Sequence, residues 1–247
     1  MTNIETKQKN KPTEKSVLLF SGGMDSLMYY YLLKPDIVLF IKHGNKYEAK
    51  ELNILYKLIE KGYIPQEKVI INTDLQLGNY ERDDAIIPMR NLLFFTIASL
   101  YGETIYIGAM NGDRTLDKKD EFFWRCKDMF NYLYDEQHWC EGRKFEICSP
   151  FRNLTKTQLV AKYIKAGGPK EALLVSYSCY EGNEKPCGWC KPCFRKFVAL
   201  ENNNIETKDY FENEPAKAPW LQEILPLIME HAWRGDEDTD ITKALHI

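Results

Sequence analysis

Short apolar runs alternate with stretches of helical period along the first two thirds of the chain. Ser16–Phe20 (SVLLF) is continuously apolar and runs into Ser-Gly-Gly, the pattern of a strand buried on both faces and closed by a tight turn. A helix is predicted over Asp25–Leu33, stopped before Pro35, then a strand over Asp36–Ile41, a helix over Tyr47–Lys61 with Gly62 beyond its end, and a strand over Lys68–Ile71. Residues 72–87 hold few periodic apolar positions and read as a long loop before a helix that Pro88 opens and Asn91–Tyr101 continues. Ile105–Ala109 (IYIGA) is another strand, followed by a polar stretch and an aromatic-rich helix over Glu121–Tyr134. Thr155 and Gln158 form a capping-box pattern, and Gly167-Gly168-Pro169 ends the helix that it opens.

Strands and helices alternating at this spacing imply crossover connections and a parallel sheet, so the expected fold class is α/β, a doubly wound parallel sheet. Past Asn202 the pattern weakens. Trp220–Trp233 reads as an apolar helical segment interrupted by Pro226, and Asp236–Asp240 as an acidic, exposed run. The expected units are a disordered tail (1–14), a nucleotide-binding domain (15–170), a cysteine-bearing lobe (171–202) and a C-terminal helical extension (203–247).

Composition narrows the partners. Thirty-three Lys and Arg oppose thirty-six Asp and Glu, a net charge of −3, so no overall basic field exists to hold a long polyanion, and nucleic acid is disfavoured. The polar, lysine-rich first fourteen residues lack the apolar core of a signal peptide, and no run is long enough to span a membrane. Seven cysteines without a secretion signal fit a reducing compartment, so a cytoplasmic location is expected.

Two motifs carry chemistry. Ser21-Gly22-Gly23-Met24-Asp25-Ser26 lies between a buried strand and a helix start. There two glycines let the backbone approach an anion, and the helix N-terminus adds unpaired N–H donors. The Gly-Lys-Ser/Thr of the kinase and GTPase loop is absent, as is the G-x-G-x-x-G of dinucleotide folds. Read without a ligand, the same turn is a glycine-rich connection capped by Asp25 or Ser26. Cys179, Cys187, Cys190 and Cys193 form C-x₇-C-x₂-C-x₂-C, four thiols that suit tetrahedral Zn²⁺ in a closed, structural site; an iron–sulfur cluster is the rival. The other cysteines, Cys126, Cys140 and Cys148, read as packing residues, and His43, His138, His231 and His246 show no metal spacing.

The SGGMDS turn resembles the pyrophosphate-holding loop of the PP-loop ATP pyrophosphatase superfamily, whose fold is flavodoxin-like, of the adenine nucleotide α-hydrolase type. With Ser178-Cys179-Tyr180 and CGWCKPC near the other end, the chain closely resembles the 7-cyano-7-deazaguanine synthase (QueC) family over about residues 16–200. The resemblance implies ATP and Mg²⁺ as cofactors, a structural Zn²⁺ on the four cysteines, 7-carboxy-7-deazaguanine and ammonia as substrates, and two successive adenylations ending in a nitrile. A homodimer is expected. It also implies catalytic roles for Asp25, Arg90 and Lys156, phosphate binding by residues 21–26, and substrate contacts from His43, Glu48, Asp113, Asp117 and Lys119.

Three segments depart from the family pattern. His43-Gly44-Asn45-Lys46-Tyr47 replaces an aromatic-Gly-Gln-Arg-His stretch, Ile87-Pro88-Met89-Arg90-Asn91 replaces Val-Pro-Gly-Arg-Asn, and residues 113–119 form a shortened loop with Lys119 where arginine is expected. These departures motivate a second reading, in which the activated carboxylate is joined to an amine on a protein or other acceptor. A tRNA-modifying enzyme of the same superfamily is a third, and a non-catalytic zinc-stapled binding module a fourth.

Overall fold

A computed structural model describes residues 12–83, 86–139, 141–181 and 185–247. Five parallel strands, β1 (Ser16–Leu19), β2 (Ile37–Ile41), β3 (Val69–Asn72), β4 (Thr104–Tyr106) and β5 (Glu146–Cys148), form one sheet in the order β3-β2-β1-β4-β5. Leu18 sits in register between Val38 and Tyr106, at the centre of the sheet.

Alternate side chains of β1 and β2 enter two different cores, which is why both strands read as unbroken apolar runs. Leu18, Phe20, Val38 and Phe40 pack against α1 (Met24–Leu33), α2 (Glu48–Glu60) and α5 (Lys156–Lys165). Val17, Leu19, Ile37, Leu39 and Ile41 pack against Phe95 of α3 (Arg90–Ala98) and Phe123, Cys126 and Phe130 of α4 (Asp120–Leu133). The sheet is thus covered on both faces. Between α5 and the C-terminus come α6 (Lys170–Val175), α7 (Lys191–Glu201), α8 (Leu221–Met229) and α9 (Asp236–Leu245).

β4 is shorter than predicted. Beyond Ile107, whose N–H still reaches the Cys148 carbonyl at 3.3 Å, the chain leaves the ladder: the Ala109 N–H turns to the Ile107 carbonyl and the Ser149 hydroxyl, 3.1 Å each. β5 carried no legible pattern, because three residues led by an exposed glutamate are too few to alternate. The predicted Trp220–Trp233 segment contains α8, and its two tryptophans pack on Phe194 of α7.

The expected exposure of Asp236–Asp240 is corrected. These residues begin α9, and Glu237 and Asp238 are buried. Glu237 forms a two-pronged ion pair with Arg195 of α7, at 2.6 and 2.9 Å, and Asp238 accepts the backbone N–H groups of Trp233 and Arg234. Each charge lost from water has a partner, the condition for burying it.

Residues 1–11 of the expected tail and Cys140 lie outside the described residues. Thr13, within the last residues of that tail, is tied to Glu103 by its N–H and hydroxyl at 3.1 and 2.8 Å. Glu103 also holds the buried Arg143, whose Nε lies 2.6 Å away and whose guanidinium sits over Tyr134 and Phe145. Desolvation would raise the Glu103 carboxyl, but the bonds from Thr13 and Arg143 outweigh it and hold it below the ordinary glutamate value. A depressed native value means that the contribution is present above the unfolded carboxylate range and is lost as pH falls through the native one. Glu103→Ala is therefore expected to cost about 3–5 kcal/mol at neutral pH by stranding a buried guanidinium. It should also flatten the acid limb of stability, measured by urea denaturation across pH.

Candidate functional site

The strand order reverses between β1 and β4, and a cavity of about 320 Å³ opens at their carboxyl ends. This is where open α/β sheets present a crevice between diverging connections.

One end of the cavity is the 21–26 turn. Gly22 adopts φ +72°, and a Cβ there would stand 3.0 Å from the Glu51 carbonyl oxygen, so glycine is needed both for the conformation and for the contact with α2. The turn is braced from within: the Ser26 hydroxyl donates to the Gly23 carbonyl at 2.9 Å, and the Gly23 N–H approaches the Ser21 hydroxyl at 3.4 Å. No side chain caps α1, so Asp25 is not the helix cap of the ligand-free reading, and the N-terminal dipole points into the cavity. Asp25 instead forms an ion pair with Lys156, the first residue of α5. That helix has the capping box predicted from Thr155 and Gln158, which holds the buried Lys156 at a helix end that disfavours a cation.

His43, Asn45, Arg90 and Phe94 also line the cavity. His43 is buried, stands edge-on to Phe94, and has Nδ1 3.0 Å from the Ile41 carbonyl. A carbonyl can only accept, so Nδ1 carries the proton and Nε2 is an acceptor in the neutral ring. Burial lowers the His43 pKa and favours that neutral form. His43 Nε2, Asn45 Oδ1 and Arg90 Nε are all buried without a protein partner. Two acceptors and a cationic donor left open in one pocket are what a heterocycle bearing N–H groups and an acid would satisfy.

Arg90 is aimed by an uncommon turn. Met89, which precedes it, sits at φ +60° with its side chain exposed. Met89→Gly is expected to stabilise the protein by about 0.5–1 kcal/mol, the left-handed penalty less the entropy that glycine adds to the unfolded chain. A thermal melt checks this; a lower midpoint would refute it.

Of the residues expected at the site, Ser21, Gly23, Met24, Asp25, Ser26, His43, Arg90 and Lys156 line the cavity. Gly22 lies just behind it, against α2. Glu48 does not line it: one carboxylate oxygen accepts the N–H groups of His43 and Gly44 at 2.6 Å each and braces the loop. Asp117 accepts from Asn91 at 2.8 Å, and the Lys119 ammonium donates to the Asp113 carbonyl oxygen. The Asp113 carboxylate is paired with Lys118 and Arg195, which outweigh burial and hold it well below the usual carboxylate range. Lys118, one residue from the expected Lys119, reaches the cavity.

Sequence reasoning missed Asn45, Glu51, Phe94, Lys118 and the contribution of the cysteine lobe. Ser178, Tyr180, Pro192 and Lys196 from that lobe line the cavity, and Tyr180 stacks on Tyr47 at 5.5 Å. Lys196 is buried and donates to Ser176 and Tyr210, while desolvation pushes its ammonium down to about 7. A usable signal existed for Glu51, which stands one helical turn beyond Glu48 on the predicted helix.

The sulfur atoms of Cys179, Cys187, Cys190 and Cys193 all lie within 4.8 Å of one another. Cys179 accepts hydrogen bonds from neighbouring thiols, Cys190 first, and from backbone N–H groups, which pull it toward the thiolate. Cys126 and Cys148 lie elsewhere, and burial pushes both thiols up to about 11, as expected of packing residues. No helix among the described residues is long and apolar enough to cross a membrane.

A family profile described as "Queuosine biosynthesis protein QueC" matches residues 66–204, more than half of the 247. The chain is 29% identical over 218 residues to 7-cyano-7-deazaguanine synthase 1 of Colwellia psychrerythraea, covering 77% of this chain and 95% of that one. It is 29% identical over 223 residues to the 7-cyano-7-deazaguanine synthase of Pseudoalteromonas translucida, covering 78% and 96%. A solved tRNA thiolase of Methanococcus maripaludis overlaps at a TM-score of 0.39 and 18% identity, over 92% of this chain and 80% of that one, too loosely to bear on function.

Proposed function

This chain belongs to the QueC family, and from that premise we propose that it converts 7-carboxy-7-deazaguanine to 7-cyano-7-deazaguanine with ATP and ammonia. The observation that carries the reading is one cavity lined both by an anion-binding turn, flanked by Asp25 and Lys156, and by unpartnered ring-reading atoms and Arg90.

In this reading the triphosphate lies on residues 21–26, and the first-turn N–H groups of α1 and the Lys156 ammonium balance the charge that grows on pyrophosphate. Ring N–H groups of the substrate satisfy His43 Nε2 and Asn45 Oδ1, and its carboxylate meets Arg90. A carboxylate oxygen attacks the α-phosphorus, the bond to pyrophosphate breaks, and ammonia then displaces AMP to leave the amide. A second adenylation, on the amide oxygen, followed by loss of AMP gives the nitrile. Mg²⁺ accompanying the triphosphate would share the negative charge, held by Asp25, the carboxylate of the loop, in place of part of its pairing with Lys156.

The four thiols fit a single structural zinc ion. Zn–S bonds of about 2.3 Å give a tetrahedral edge of about 3.8 Å, against 3.9 Å between the sulfurs of Cys179 and Cys190. Reduced thiols and the use of ATP support a cytoplasmic setting.

Protein mixed with 7-carboxy-7-deazaguanine, MgATP and ammonium is expected to yield AMP and the nitrile by mass spectrometry. Absence of substrate-dependent AMP would overturn the reading. AMP without nitrile, with a mass gain on a protein or other amine, would redirect it to the joining of an acceptor.

A further inference from the structure

The second chemical step gains from a group that neither the phosphate turn nor Arg90 supplies. At neutral pH ammonia is almost entirely ammonium, whose nitrogen has no free electron pair, so a base beside the acyl carbon would speed attack on an acyl adenylate.

Among the described residues, two carboxylates line the cavity, Asp25 and Glu51. Asp25 is engaged by Lys156 at the phosphate end. Glu48, on the same helix as Glu51, is turned to the backbone of His43 and Gly44. The neutral His43 ring is held below its ordinary pKa and is a poor acceptor for a proton from ammonium. The Lys196 ammonium spends its donors on Ser176 and Tyr210.

Glu51 lines the cavity and reaches both the phosphate turn and the residues around Arg90. Its backbone carbonyl abuts Gly22 of the phosphate turn, and its side chain bonds Asn45 and lies in the field of Arg90. An acyl adenylate must bridge those two groups of residues, with its acyl carbon between them. We infer that Glu51 is the general base of amide formation, a role that rests on the reading above. Its carboxylate takes the proton that ammonium sheds, and the freed nitrogen pair forms the C–N bond. The C–O bond to AMP breaks with its electron pair leaving on AMP; the carboxyl releases the first proton to solvent and, ionised again, takes the second N–H proton and passes it on in turn.

The surroundings match the task. Burial pushes the Glu51 carboxyl up to about 7. The facing groups that modulate it are Arg90 of α3, which lowers it, Glu48 of its own helix, which raises it, Asn45 of the β2–α2 loop, which lowers it, and Glu81 of the segment before α3, which raises it. A base with a pKa near the working pH combines a useful ionised fraction with enough basicity.

Glu51→Gln tests this with three readouts on the full chain. Carboxylate-dependent ATP–pyrophosphate exchange reports the first adenylation, amide yield from ammonium chloride at neutral pH reports the base, and hydroxamate yield from hydroxylamine reports attack by a nucleophile already uncharged. Amide formation is expected to fall about 10²-fold or more, with exchange and hydroxamate formation within about two-fold of the unmodified protein, and Glu51→Asp is expected to restore part of the amide rate. Undiminished amide formation, or equal losses in all three readouts, would overturn the role. An unmodified protein without carboxylate-dependent exchange would overturn the parent reading, and this role with it.

Discussion

Lys156→Met is expected to lower kcat/KM for ATP about 10²–10³-fold, the range lost when one preorganised donor to a developing charge is removed. Lys156 is buried, and its ammonium is paired with Asp25 of the phosphate turn. Such a cation is already desolvated, so in the proposed reaction it would meet the growing charge on pyrophosphate without reorganising water. Methionine keeps most of the length and apolar bulk, and the Thr155–Gln158 capping box that starts α5 does not involve the Lys156 side chain. The helix should therefore stay in place while exchange of pyrophosphate into ATP falls. Exchange at the unmodified rate, with an unchanged thermal midpoint, would remove Lys156 from the mechanism.

Cys187→Ser, or exhaustive chelation, is expected to abolish activity and collapse the cysteine lobe. Structural zinc sites supply on the order of 10 kcal/mol toward ordering their loops, and three thiolates leave the ion with an open position. The loss would extend into the protein interior, because Cys179, Cys187 and Cys193 are buried in the same core as Leu18 and Phe20 of the central strand. It would also reach the cavity, whose wall includes Ser178, Tyr180, Pro192 and Lys196. Elemental analysis, thermal denaturation and limited proteolysis of the two proteins read this out. An unmodified protein without bound metal, or a variant that melts and turns over normally, would sink it.

The legible parts of the site are those whose chemistry is local. The glycine-rich turn is set by six consecutive residues, and the four-cysteine cluster by spacing within fifteen. The capping box is likewise complete within four positions. The opaque parts depend on partners distant along the chain. Lys118 and Lys119 are neighbours in sequence, yet one faces the cavity while the other donates to the Asp113 carbonyl. Glu237 and Asp238 read as a solvated run because acids usually are, and only the approach of Arg195 and of the Trp233 and Arg234 N–H groups makes their burial favourable. The lobe's aromatic and lysine residues carry no motif that announces a binding wall.

The order of apolar and polar positions, with two short motifs, determined by itself that this chain forms a doubly wound parallel sheet ending one strand in a glycine-rich turn, with a cluster of four cysteines farther on. Backbone periodicity and short-range spacing suffice for that, since each is satisfied within one or two elements. The tertiary structure alone decided which acid and which lysine line the cavity, and that the cysteine lobe forms part of its wall. Those outcomes follow from how side chains share desolvation and hydrogen bonds after elements far apart in the chain have packed together.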